Sequence, residues 1–191
     1  MRSRSNSEKI RRIAFLAMLV ALEVVLNRFC SINTMGLKIG FSFVPVVVAA
    51  SLFGPVASGI VYAVSDFIGA ILFPIGTYHP GFTVCAAMMG IVYGLFLYVP
   101  RADEKGFFIR WRRVKLLPNI ILPALINNLL FGLVINTYWV STLYGSKSYM
   151  GWFLYRLSEY VILIPVTIAL TPAILRLTSE LSKITFGKVK K

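Results

Sequence analysis

The chain is expected to be an all-α membrane protein, a bundle of six transmembrane helices with both termini in the cytoplasm. Three observations predict it. Hydrophobic residues make up 58% of the 191 positions and charged residues only 14%, with mean hydropathy +0.78, whereas soluble domains are nearer half apolar and a quarter charged. Apolar runs long enough to cross about 30 Å of hydrocarbon recur along the chain. Lys and Arg fall overwhelmingly between alternate runs rather than across the whole surface.

The first run extends from about Ile10 to Asn27. A basic segment precedes it, but no A-x-A cleavage pattern follows, so it is expected to be a retained helix rather than a signal peptide. The second, about Ile39 to Phe53, is short and carries Pro45; the Gly54-Pro55 turn then starts a third, to about Phe73. The stretch from Pro74 to Gly81 is too rich in Pro and Gly to continue a helix, and a fourth run follows from Phe82 to Val99. The fifth, about Leu116 to Leu143, contains Pro118, Pro123 and four asparagines. The sixth, about Trp152 to Leu177, contains Pro165 and Pro172. Breakers inside spans require neighbouring helices to satisfy the freed carbonyls, which implies a packed bundle, residues 1–191 forming one integral membrane domain.

Orientation follows from the cations. Arg2, Arg4, Lys9, Arg11 and Arg12, the 101–115 loop with Arg101, Lys105, Arg110, Arg112, Arg113 and Lys115, and the tail with Arg176, Lys183, Lys188, Lys190 and Lys191 lie on one side; only Arg28, Lys38, Lys147 and Arg156 lie on the other. The first side is therefore cytoplasmic, and 28–38, 74–81 and 144–151 are outer loops. A net charge of +13 distributed this way reads as membrane orientation, not nucleic-acid binding. Cys30 and Cys85 carry no metal or disulfide spacing, and His79 is the only histidine, so no metal site or cofactor is signalled.

Glu23, Asp66, Arg156 and Glu159 lie at membrane depth and need partners or a cavity. Arg28 and Lys38 at the outer ends of the first two spans fit either snorkelling to lipid phosphate or pairing with an anionic ligand. Phe29, Phe41, Phe73, Tyr78, His79, Tyr138, Trp139, Tyr144 and Tyr149 fit either an interfacial aromatic belt or the walls of an outward pocket for a flat anionic molecule. Asn127, Asn128 and Asn136 in the fifth span require partners, from other helices or from the edge of a heteroaromatic ring. Ala14, Ala17 and Ala21 make a small-residue ridge that lets another membrane helix approach. Among catalytic and nucleotide motifs, G-x-x-x-x-G-K-[ST], G-x-S-x-G and H-E-x-x-H are all missing. A binding subunit that borrows its energy fits better than an enzyme; a lipid-directed enzyme using Asp66 and His79, and a structural adaptor, are the rivals.

Leu26-Asn27-Arg28-Phe29-Cys30-Ser31-Ile32, Leu37-Lys38-Ile39-Gly40-Phe41, Phe53-Gly54-Pro55, Asp66-Phe67-Ile68-Gly69-Ala70, the loop Phe73 to Thr83, Leu133 to Ser141, Leu143-Tyr144-Gly145 and Arg156 occur in that order. Together they resemble the folate-specific substrate-binding (S) components of energy-coupling factor (ECF) vitamin transporters, over nearly the whole chain from Ala14 to about Pro172. The resemblance implies a six-helix subunit of a prokaryotic plasma membrane with no catalytic activity. Such a subunit captures a vitamin from outside and associates with a transmembrane scaffold protein and two ATPases. It further implies that Arg28 and Lys38 pair with the ligand's glutamate tail and that Asn128 and Asn136 bond the pterin edge. Phe73, Tyr78 and Trp139 would stack on the rings, and the loop from Pro74 through Gly76 and His79 to Gly81 would act as a lid. Arg156 belongs to the same binding set, and Ala14, Ala17 and Ala21 are the scaffold contact. The chain departs from the family pattern at Cys30, at His79, and where Ser158 and Glu159 follow Arg156. That leaves as the alternative an S component for another vitamin, such as a pteridine-like or queuosine precursor.

Overall fold

The computed structural model describes residues 6–34, 37–98, 116–145 and 148–186. It is helical apart from one small hairpin. Helix α1 (Asn6–Arg28) is followed by strands β1 (Ser31–Thr34) and β2 (Leu37–Gly40), then α2 (Phe43–Phe53), α3 (Pro55–Leu72) and α4 (Pro80–Leu97). A fifth rod begins as α5 (Leu116–Leu125), widens into a π-helical stretch (Ile126–Ile135) and finishes as α6 (Asn136–Tyr144); α7 (Tyr149–Phe186) is the sixth. By length and composition four helical stretches among the described residues are long and apolar enough to cross a membrane: Pro55–Leu72, Pro80–Leu97, Pro118–Tyr144 and Tyr149–Leu181. In α1, 23 residues long, the first turns carry Glu8, Lys9, Arg11 and Arg12, and α2 has only 11 residues.

The second span departs most from expectation. Ile39 and Gly40 belong to β2, and the helix starts only at Phe43. The expected outer loop at 28–38 holds an antiparallel hairpin in which Thr34 faces Leu37 and Ser31 faces Gly40. Helix α2 is short because it is interior: Val46, Val47, Ala49 and Ala50 are fully buried and form the hub of the core with Leu19, Val61, Tyr93, Leu97, Ile120 and Ile174. Its end is closed by Arg12, whose guanidinium donates to the Phe53 carbonyl (3.4 Å) and lies 5.2 Å from the Phe53 ring centroid, a cation on the negative pole of a helix. Gly54, at φ +85°, turns the chain into α3 with Pro55 in the first turn, a backbone angle that favours glycine.

Helices α3 and α4 approach through small residues. Ser58 donates to the Gly90 carbonyl at 2.7 Å, and a Cβ placed on Gly90 would overlap Ser58 O and come within 2.8 Å of the Gly59 Cα. Gly90 and Gly94, four apart on α4, thus form the close-packing face of a small-x-x-x-small contact. Gly90→Ala is expected to destabilise the bundle by about 1–3 kcal/mol, because backbone rather than a flexible side chain must move. Thermal unfolding in detergent measures this, and an unchanged midpoint would show that α3 and α4 can separate without cost.

The C-terminal ends of α1, α3 and α6 and the N-terminal ends of α2, α4 and α7 gather at one end of the bundle. Phe29 meets Phe73 edge-on (5.1 Å), His79 stacks on Trp139 (4.6 Å), and Tyr144 tilts against Trp152 (5.9 Å). The hairpin and the 73–79 loop lie at this same end.

Candidate functional site

A cavity of about 410 Å³ opens at the hairpin end. Helical periodicity builds its walls: Tyr62, Asp66 and Ala70 on α3; Phe82, Ala86, Met89 and Tyr93 on α4; Asn128, Gly132, Asn136, Val140 and Tyr144 on the fifth rod; Arg156, Glu159, Tyr160, Leu163 and Thr167 on α7. These repeats of three and four residues turn one stripe of each helix inward. Asn27 and Arg28 close it from α1, Ser42 and Phe43 from α2, and Pro74, Ile75, Gly76, Thr77 and Tyr78 form its rim. In the fifth rod, Pro123 cannot donate to the Asn119 carbonyl, and the helix widens three residues later into the π-helical stretch, a geometry that recurs at functional sites.

Polar groups in this apolar setting fall into three clusters. On α7 the buried Arg156 donates through Nε to Glu159 (3.4 Å), through Nη1 to Thr137 (3.2 Å) and through Nη2 to Tyr160 (2.8 Å). On α1 the Glu23 carboxylate accepts from Asn27 Nδ2 at 2.8 Å, and Ser31 donates to the Asn27 carbonyl at 2.5 Å. Between α3 and α4, Thr83 donates to Asp66 at 2.8 Å, with the Tyr78 hydroxyl 3.1 Å from Thr83. Asp66 thereby holds the rim residue Tyr78 through one hydroxyl.

Four buried atoms of lining residues have no hydrogen-bond partner among the described residues: Arg28 Nε and the Oδ1 atoms of Asn27, Asn127 and Asn136. Leaving one such group unmatched costs about 1–3 kcal/mol. One cationic donor and three amide acceptors around a single polar and aromatic cavity match a ligand that carries both an anion and hydrogen-bond donors.

Of the residues singled out from the sequence, Arg28, Pro74, Gly76, Tyr78, Asn128, Asn136 and Arg156 line the cavity together. Three do not. Phe73 packs on Phe29 at the surface, and His79 and Trp139 spend their faces on each other. His79 is the N-cap of α4, its Nδ1 accepting from the Gly81 N–H at 3.0 Å. A Cβ on Gly81 would strike the Trp139 ring, so this pair fixes the start of α4 against α6 beneath the rim. Of the other expected pocket aromatics only Tyr144 reaches the cavity. The side chain of Lys38 and all of Lys147 lie outside the described residues. Residues the sequence reading did not pick include Asn27, Tyr62, Tyr93, Gly132, Tyr160 and Thr167. Their signal was present as polar or small groups at helical spacing within apolar runs, but spacing alone does not say which stripe faces inward.

Ala14, Ala17 and Ala21 are exposed along the outer face of α1, beside exposed Ile10, Ile13, Met18, Leu22 and Val25. The opposite face, with Leu19, Glu23, Val24 and Asn27, is buried.

Residues 11–175 match a family model described as ECF transporter, substrate-specific component. The folate transporter FolT of Clostridium novyi (strain NT) is 36% identical over 159 residues, which covers 83% of this chain and 84% of that protein. The folate transporter FolT of Leuconostoc mesenteroides subsp. mesenteroides is 27% identical over 165 residues, covering 84% and 82%. A solved structure, the crystal structure of FolT bound with folic acid, matches with a TM-score of 0.73 at 32% identity, over 86% of this chain and 92% of that one.

Proposed function

Because the chain belongs to the substrate-specific components of ECF transporters, we propose that it is a folate-capturing S component: a single integral domain that spans the cell membrane six times with both termini cytoplasmic. The observation that carries this reading is the cavity at the hairpin end, where Arg28 and Asn136 offer buried groups of opposite hydrogen-bonding sense that have no partner among the described residues. The glutamate tail, an anion, goes to Arg28; the pterin, flat and rich in donors and acceptors, goes among Asn128, Asn136 and the buried tyrosines. Pro74, Gly76 and Tyr78 close over it as a lid. The likeness to FolT proteins favours folate over other vitamins, and the chemistry needed is binding alone.

Energy for import comes from a separate scaffold subunit and two ATPases. The exposed ridge of Ala14, Ala17 and Ala21 supports this reading, because small side chains let a partner helix come close where lipid offers no hydrophobic drive for association.

The test uses detergent-purified protein. Denaturation should release a folate identifiable by mass spectrometry, and the emptied protein should bind folate saturably, followed by Trp fluorescence, with Trp139 and Trp152 near the cavity end as reporters. A different vitamin released would keep the transporter class and replace the cargo.

A further inference from the structure

We propose that His79 is a proton-sensitive clasp on the rim: a proton taken up by its imidazole from the outer side frees the first turn of α4, and with it Tyr78, and so weakens capture of the ligand. Regulation of this kind rests on the folate reading above and deepens it.

The first N–H groups of a helix have no partner within it. In α4, Pro80 brings no N–H, so Gly81 supplies the first free donor, and His79 Nδ1 accepts it at 3.0 Å. The His79 carbonyl accepts the next, from Phe82, at 3.0 Å. The imidazole is held in this pose by stacking on Trp139 (4.6 Å between ring centres, 27° between planes) and by the Phe82 ring edge-on at 6.4 Å. Accepting through Nδ1 requires the neutral ring, because both nitrogens of an imidazolium are donors. A protonated His79 therefore confronts the Gly81 N–H with a second donor, and it places a cation on the positive pole of α4. The face of Trp139 tolerates a cation, but the ring must then turn its Nδ1 away from Gly81, so the capping bond is lost.

Loss of this bond reaches the rim through two neighbours. Tyr78, which lines the cavity mouth with Pro74 to Thr77, is the residue before His79. Its hydroxyl lies 3.1 Å from Thr83 in the first turn of α4, and Thr83 in turn donates to Asp66 at 2.8 Å. The rim loop is thus pinned at one end by Phe73 on Phe29 and at the other by His79 on Trp139. His79 is half-buried, so protons from the outer side can reach it. The titratable groups around it are Tyr78 in the loop, Asp66 on α3, Cys85 on α4, and Tyr138 and Tyr144 on α6. Tyr138 meets Trp139 edge-on at 5.0 Å. Asp66 is engaged by Thr83, and among the described residues no carboxylate forms an ion pair with His79. Imidazole is the side chain that gains its proton between about pH 8 and pH 5. The sign follows from linkage: the pinned rim takes only the neutral ring, so acid favours the released rim, and a ligand that needs the pinned rim expels the proton.

The experiment titrates emptied wild type and His79→Asn with folic acid at about pH 7.5 and about pH 5.5. Asparagine keeps a side-chain oxygen for the Gly81 N–H, a favoured N-cap, and takes no proton. Wild type should lose about fivefold or more in affinity on acidification, and His79→Asn less than about twofold. An equal fall in both proteins would overturn the proposal, because Asp66 or the ligand would then carry the pH dependence, and so would a wild type with no fall. If the variant fails to fold, wild-type calorimetry at about pH 6.5 in two buffers of different ionisation heat decides: folate binding must release protons, and uptake or no exchange overturns the clasp. Wild type that binds no folate at about pH 7.5 but another vitamin would remove the folate reading, while the same pH comparison with that vitamin would still test His79.

Discussion

Replacing Arg28 with Ala is expected to weaken folate binding by about 30-fold or more, the largest loss of any single substitution in the cavity. Truncating one partner of a buried, hydrogen-bonded charge pair costs about 2–5 kcal/mol, and each 1.4 kcal/mol is tenfold in affinity. Arg28 is the lining cation whose buried Nε has no partner among the described residues, so a ligand carboxylate has most to lose there. Arg28→Lys should recover only part of the affinity, since an ammonium does not reproduce the planar fork of a guanidinium. Gly69 packs directly under the guanidinium, and removing the side chain leaves space rather than strain, so the unfolding temperature should change little. Calorimetric titration of the emptied protein measures both variants. Unchanged affinity for Arg28→Ala would remove Arg28 from the site.

Ala17→Trp is expected to abolish folate uptake in cells that hold the energising subunits while leaving folate affinity of the purified protein within about twofold. Ala17 is exposed on the face of α1 opposite to the buried Glu23 and Asn27, and a substitution there touches neither core nor cavity, where surface changes amount to about 0.5 kcal/mol or less. A bulky ring on the ridge instead blocks the close approach that Ala14, Ala17 and Ala21 permit. Uptake at the wild-type rate would show that the ridge faces only lipid. Loss of folate binding as well would mean that α1 repacks when the ridge is enlarged.

The two predictions differ in how much the sequence alone supports them. Arg28 was legible as a cation at the end of an apolar run, because a charge there is costly unless something receives it. The alanine ridge was legible from spacing, and all three residues are exposed on one face of α1. The breaks at Gly54-Pro55 and at Pro80 likewise follow from local chemistry: a positive φ in one case, and in the other a proline in the first turn of a helix, the position it favours. The all-helical, apolar character of the chain follows from composition and run length.

What each polar group meets was not local. The short second run looked like a marginal span, yet α2 is an interior hub whose residues bury against α1, α3, α4 and α7, and the residues before it pair as a hairpin. His79 and Trp139 were marked as ligand contacts from their place in the outer loops; in the folded chain they stack on each other and fix the start of α4. Arg156 stood in the sequence as one of four outer cations, but three residues along the same helix Glu159 pairs with it, and the stripe that both occupy turns into the cavity. Sequence by itself thus determined which segments are helical, how apolar they are and where the breaks fall, since those depend on residue type and spacing within one segment. Only the tertiary structure decided which stripe of each helix faces inward and which charges cancel, because those depend on the rotation and neighbours of helices far apart in the chain.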